Sequence, residues 1–517
     1  ADVNAQGGDY GNALQSASYG GHDSIVQRLL ESGADVNAQG GDYGNALDAA
    51  SGRGHDSIVQ RLLETGADFI AQVGSFGSAL EVASLGGYDT IVQRLLEKGA
   101  DVNAQGGYID NAQSGSYSNA LQAASYGGHY TIVQRLLEKG ADVNAQGGRW
   151  GNALQAASYG GHDSIRLLEK GADVNAQGGR WGNALQAASY GGHDSIVQRL
   201  LELGADINAQ GGRNANALQA ASYGGHDSIV QRLLELGADI NTQGGSNVNA
   251  LQAASYGGYD TIVQRLLEKG ADVNAQGGCW GSALQEASYR GHDSVVQRLL
   301  EKGADVNAQG GDYDGNALEA ASVGGHDTIV QRLLEEGADV NAQGGDYGNA
   351  LQAASDGGHY TIVQRLLEKG ADVNAQGGYY GNALQAASVG GHYTIVQRLL
   401  EKGADVNAQG GYYGNALQAA SLKGHDSIVQ RLLKKGADIN AQGGEFGNAL
   451  QAASYGEHDS IVQRQLELGA DINAQGGDDG NAQGGDYGNA QGGDYGNALQ
   501  AASYGGHDIP EMWSAYL

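Results

Sequence analysis

The sequence predicts an all-α solenoid, in which each unit is a helix-turn-helix followed by an extended hairpin finger. Three observations predict it. The Asp of a Gly-Ala-Asp-Val-Asn-like phrase recurs from Asp2 through Asp35, Asp68 and Asp101 to Asp471, at steps of 33 residues except for one of 41, one of 31 and one of 34. Glycine supplies 89 of 517 residues and proline one, without the three-residue period of a collagen. No apolar run approaches the ~20 residues that span a bilayer. Length alone would suggest three or four domains. A fixed period along the whole chain instead means one array, residues 1–517, of about fifteen units.

Each unit parses in order. Asn12 is expected to cap a first helix beginning at Ala13, because its side-chain oxygen can accept from an orphan backbone N–H. Gly20 and Gly21 end that helix with a left-handed exit. Asp23 is expected to cap the second helix and to suit its positive end. Ile25, Val26, Leu29 and Leu30 then form one apolar face. Gly33 closes the helix, and a glycine-punctuated finger leads to Gly44. A single unit has nothing to bury that face against, so neighbours must share a core.

These residues resemble ankyrin repeats. The Gly-His before the second helix (His22), the Ile-Val-Gln-Arg-Leu-Leu run and the Gly33–Ala38 phrase match that pattern without gaps at the same period. One departure is systematic: the family's Thr-Pro-Leu-His is written Asn-Ala-Leu-Gln here, Asn45-Ala46-Leu47-Asp48 in the second unit. The family's Thr–His bond is therefore not expected, while Asn can still start the helix. The near-identity of the units is similar to arrays in fungal proteins of the NOD-like-receptor type. The resemblance implies a C-terminal sensor joined to a signalling NTPase. The chain opens at Ala1 inside the repeating phrase, without Met, and so reads as N-terminally truncated.

Four places break the pattern. Residues 103–118 hold an octapeptide duplication in a finger, and 473–496 hold Gly-rich octapeptide repeats. Both are expected to be loops. Residues 497–517 form a divergent last unit, with Met512 and Trp513 at helical spacing from Ile509. The 143–173 unit lacks two residues after Ile165. That loss turns the apolar set by about 200°, so Ile165, Leu167 and Leu168 should no longer share one face and a weak joint is expected.

Catalytic and metal chemistry is not signalled. The thirteen histidines recur once per unit (His22, His55, His129, His162), whereas a metal needs several ligands on one ion. Phosphate-loop, Gly-x-Ser-x-Gly, His-Glu-x-x-His and Cys-x-x-Cys motifs are missing from the sequence. No enzyme activity, cofactor or metal is expected. Cys279 is a single thiol, so no internal disulfide forms and a cytosolic (or nuclear) setting is the simplest reading. The net charge of −30 is about two surplus acids per unit, a solvated surface. Nucleic acid and membrane surfaces are disfavoured as partners, because both call for clustered Lys and Arg.

The units differ in two columns. The finger column carries Tyr10, Tyr43, Phe76, Trp150, Trp181, Trp280, Tyr313, Tyr347, Tyr380, Tyr413 and Phe446. The end of the first helix carries Tyr126, Tyr159, Tyr190, Tyr223 and Tyr256. In the resembled family these columns line the fingertips and the concave inner-helix face, and Tyr and Trp are hot-spot residues. The expected function is non-catalytic binding of a protein partner, as the recognition part of a receptor-like protein. The alternatives are a passive scaffold whose finger rings pack on one another, or a regulatory appendage of an upstream enzyme.

Overall fold

The computed structural model describes residues 2–68, 77–105, 119–213, 216–245, 249–277, 281–311, 315–474 and 498. The octapeptide stretches at 106–118 and 475–496, Cys279 and the divergent end from 499 lie outside them. Among the described residues there are 28 α-helices, in fourteen pairs. Two units emerge from the contacts: Ala1–Gly257 with Glu268–Ala271, and Gly258–Leu267 with Asp272–Leu517. Within each, successive pairs stack first helix on first helix.

The first helix begins as its sequence dictates. In Ala153–Gly160, Asn152 Oδ1 accepts from the Gln155 N–H at 2.9 Å, and Gln155 Oε1 accepts from the Asn152 N–H at 2.7 Å. This reciprocal cap replaces the missing Thr–His pair. Gln155 does more, because its Nε2 donates to Gly182 O at 2.7 Å and Ala176 O at 3.0 Å in the following finger. Ala153, Leu154, Ala156 and Ala157 are all buried. The small side chains let neighbouring first helices approach closely.

The second helix starts differently from expectation. His22 stands at the N-cap without a side-chain cap bond, and Asp23 is the first helical residue. Its carboxylate instead receives Arg61 of the next repeat at 3.0 Å. The same pairing joins Arg94 to Asp56, Arg135 to Asp89, Arg298 to Asp260, Arg332 to Asp293, Arg365 to Asp327 and Arg464 to Asp426. Inside the stack Ile229, Val230 and Leu233 are buried as expected. Ile25, in the first repeat of the sequence, is 47% exposed.

Two polar seams tie each repeat to the next. Asn37 Nδ2 donates to Gly66 O at 3.2 Å, while its Oδ1 accepts from the Asp68 N–H at 2.7 Å. Asn341 and Asn374 do the same to Gly370 and Asp372, and to Gly403 and Asp405. The histidines form the other seam. His55 Nε2–H donates to Tyr19 O at 3.1 Å and His193 Nε2–H to Tyr159 O at 2.9 Å. A Cβ at Gly21, where φ is +74°, would stand 2.6 Å from the His55 ring. Each such bond contributes about 1 kcal/mol, and each recurs down the array.

The short repeat is a local defect. Its second helix is only Ile165–Glu169, five residues against nine elsewhere. The register is kept from the C-terminal end: Leu167 is buried, Ser164 takes a buried place, and Ile165 is 42% exposed. Ile165 leaves the shared face as expected, while Leu167, against expectation, keeps the buried place that Leu62 has in a regular repeat. Arg166 turns to Glu169 of its own helix at 3.3 Å.

Three repeats write an acid for the bridging Gln. Asp48, Glu81 and Glu319 are buried. Burial pushes Asp48 well above the usual carboxyl range, with Glu81 nearby adding to it. Burial likewise raises Glu81 and Glu319 to about 8, the Asp346 charge adding at Glu319. A neutral carboxyl keeps one donor where Gln has two.

Two predictions follow from these irregular repeats. The folded chain holds the Glu319 proton between the unfolded value of 4.5 and about 8, so stability falls as pH rises through that window and is flat above it. Glu319→Gln should therefore raise the melting temperature by about 2 °C or more at pH 9 and by little at pH 5; an equal shift at both values contradicts the assignment. Inserting Val-Gln between Ile165 and Arg166 should stabilise that repeat by on the order of 2 kcal/mol, read as slowed amide exchange over 162–172.

Candidate functional site: the finger strip

Among the described residues seven fingers are closed by a single bridge, such as Gly344 with Gly348 or Gly377 with Gly381. Successive fingers are joined by backbone hydrogen bonds. The Tyr379 N–H donates to Asp346 O at 2.7 Å, Tyr412 to Tyr379 O at 2.9 Å and Glu445 to Tyr412 O at 3.1 Å. In the other unit Arg180 donates to Arg149 O at 2.7 Å and Arg213 to Arg180 O at 2.9 Å. This closeness needs glycine: a Cβ at Gly411, φ +63°, would lie within contact of the Tyr380 and Gly381 backbone. The finger backbone is thus a fixed ribbon, and the residues that vary are displayed from it at regular intervals.

The rings displayed there run from one repeat to the next. In the first unit Tyr126 packs on Trp150 at 4.8 Å between centroids, Trp150 on Tyr159 at 4.5 Å, Tyr159 on Trp181 at 5.3 Å and Trp181 on Tyr190 at 4.1 Å. Tyr190, Tyr223 and Tyr256 continue the column, stacked at 5.9 and 5.8 Å. Arg149 and Arg180 lie over the Trp150 and Trp181 rings at 5.6 and 5.3 Å. In the second unit Tyr347, Tyr380 and Tyr413 follow at 6.2 and 6.3 Å, with Tyr379 stacked on Tyr412 at 5.1 Å. Such contacts contribute about 1 kcal/mol each beyond the area they bury.

The finger and helix-end residues therefore fall into four groups. Trp150, Trp181, Tyr413 and Phe446 are buried, wedged between fingers and helix ends. Tyr43, Tyr347, Tyr380, Tyr126, Tyr159, Tyr190, Tyr223 and Tyr256 are half-buried. Tyr10 is 45% exposed. Phe76, Trp280 and Tyr313 lie outside the described residues.

Three further members of the two varying columns, not among the candidate residues chosen from the sequence, take part. Tyr379 and Tyr412, beside the chosen rings, stack on each other, and Tyr379 is 40% exposed. Asp356 replaces the helix-end tyrosine and accepts from the Tyr380 hydroxyl; burial, then the Asp356 charge, pushes the Tyr380 hydroxyl upward. The signal was available, since the helix-end Asp stands one repeat before the first Tyr-Tyr finger. Burial raises Tyr412 as well, its hydroxyl donating to Glu445. Among the described residues no cluster of three or more His, Cys, Asp or Glu is placed to hold a metal, and no helix is long and apolar enough to cross a membrane.

Comparison with known proteins gives the same architecture. A family model described as ankyrin repeats (3 copies) matches residues 14–106, 80–178, 184–277, 251–344, 318–410 and 350–443. Among curated proteins, the azaphilone pigments biosynthesis cluster protein L of Monascus ruber is 69% identical over 32 residues, 6% of this chain and 7% of that protein's length. Among solved structures, the human ASB11 ankyrin repeat domain is 26% identical, covers 43% of this chain and 98% of its own, and superposes with a TM-score of 0.38. With the family model covering most of its length, the chain belongs to the ankyrin-repeat family.

Proposed function

We propose that this chain is a non-catalytic cytosolic array that holds a protein partner on the strip formed by its fingers and first-helix ends. Ankyrin repeats are generally protein–protein interaction modules, and the fold is typically non-catalytic. The observation that carries the strip is its combination of constant backbone and changing side chains. Fingers hydrogen-bonded in register present Arg-Trp in two successive repeats and Tyr-Tyr in two others. The half-buried tyrosines keep part of their surface accessible, which suits them to contact with a partner. On the resemblance to fungal receptor arrays, the strip would be the recognition end of a receptor-like protein.

The scaffold reading keeps support from one finding. Trp150, Trp181, Tyr413 and Phe446 are spent on packing between repeats, so their substitution would weaken the array before it could report on binding.

The test therefore uses the half-buried column. Val323 and Val389 stand at the helix-end position in other repeats, so Tyr159→Val, Tyr190→Val and Tyr223→Val together should leave helicity unchanged by circular dichroism. In a pull-down from the source organism's lysate, a partner held by the parent should be lost, by about tenfold or more, from the triple variant. Equal capture by both proteins would favour the scaffold.

A further inference from the structure

The second-helix ladder of Arg–Asp pairs is interrupted in several repeats: Arg199 turns to Glu202 at 3.4 Å although Asp163 opens the repeat before it, and three other interruptions follow a tyrosine. Tyrosine replaces the opening Asp at Tyr130, Tyr360 and Tyr393, and these rings are 55%, 42% and 39% exposed. The arginine one repeat later then falls back on the Glu three residues on, Arg166 on Glu169 at 3.3 Å and Arg398 on Glu401 at 3.8 Å. Arg431 has lost both kinds of partner. Tyr393 stands where its Asp would be, and Lys434 stands where its Glu would be. Its Nε is buried without an acceptor, as are those of Arg232, Arg332 and Arg398, but unlike Arg332 and Arg398 it has no carboxylate on its other nitrogens among the described residues. Lys435 follows directly, so three cations gather at one helix end in a chain of net charge −30. The nearest acid of that helix, Asp426, is already held by Gln430 at 2.6 Å and Arg464 at 3.2 Å.

Lys434 of this cluster, with Gln430 and Arg464, lines a cavity of about 470 Å³ between the helices Asp426–Lys434 and Asp459–Glu467, while Arg431 and Lys435 stand outside its lining. Leu433, Ala437, Ile439 and Leu468 form its apolar walls, and Lys434 and Arg464 stand at its rim. Leu468 is 58% exposed, in a place where several repeats write Lys. An exposed apolar wall beside Lys434, a cation where other repeats carry Glu, is suited to a ligand with a carboxylate next to an apolar side chain.

We propose that this helix end docks an acidic peptide segment of a partner protein. Its carboxylates take the places on Arg431, Lys434 and Lys435 that Asp and Glu fill elsewhere in the array. Its apolar side chain enters the cavity against Leu433 and Leu468. At physiological salt the Debye length is about 8 Å, so the local cations decide the attraction while the rest of the chain's negative charge is screened. The site lies on the second helices and is independent of the finger strip.

The experiment titrates the full chain into a fluorescein-labelled peptide of four glutamates around one leucine, read by anisotropy at 0.15 M salt. The parent should bind this peptide and not one with lysines for the glutamates. Lys434→Glu and Tyr393→Asp each write in the residue found at that place in other repeats, so both keep the fold. Each should weaken binding about tenfold. Leu468→Lys, equally native to the position, should weaken it as well. No binding by the parent, binding undiminished in these variants, or capture of anionic lipid vesicles in place of the peptide would overturn the proposal.

Discussion

The interaction on which everything else depends is the hydrogen bond that crosses from one repeat to the next. A 33-residue unit with two short helices ends in orphan carbonyls and N–H groups that it cannot satisfy by itself. Here the neighbouring repeat satisfies them. Asn37 holds the Gly66 carbonyl and the Asp68 amide, His55 holds the Tyr19 carbonyl, and Gln155 holds the Gly182 carbonyl. Apolar burial of Leu62 and Val59 supplies the driving force. The polar seams fix the register, because a slip would leave buried groups without partners. Each repeat therefore depends on its neighbours more than on any distant element.

That dependence explains what can vary. The Asn, His and Gln columns recur with few exceptions because each is engaged on two sides. Where Gln becomes Glu319, the fold keeps the geometry by keeping the proton. The finger and helix-end columns vary more freely: Val323, Asp356 and Val389 stand where other repeats carry tyrosine. Variation is thus concentrated where a partner could read it, on a backbone ribbon that does not vary.

Much of this was legible in the sequence. The 33-residue period, the Asn12 cap and the Gly exits name the helices and their ends. The period also makes the histidines structural, since one His per layer is too far from the next to share an ion. Other features were not legible, for physical reasons. Asp23 reads as a cap because capping is local, but its carboxylate turns to Arg61, 38 residues on, which no local pattern reveals. The long reach of Gln15 to Gly44 is hidden in the same way. Exposure of the finger rings was the least legible feature: Trp150 and Tyr159 are both aromatic, yet one is buried and the other half-buried.

The most direct test of this account is amide hydrogen exchange on Asn374→Ala, which removes one rung of the Asn seam without changing any apolar contact of Ile395, Val396 or Leu399. The account predicts lost protection at Asp405 and in the two repeats that share the rung, with distant repeats unchanged. Protection unchanged at Asp405, or lost evenly along the array, would contradict it.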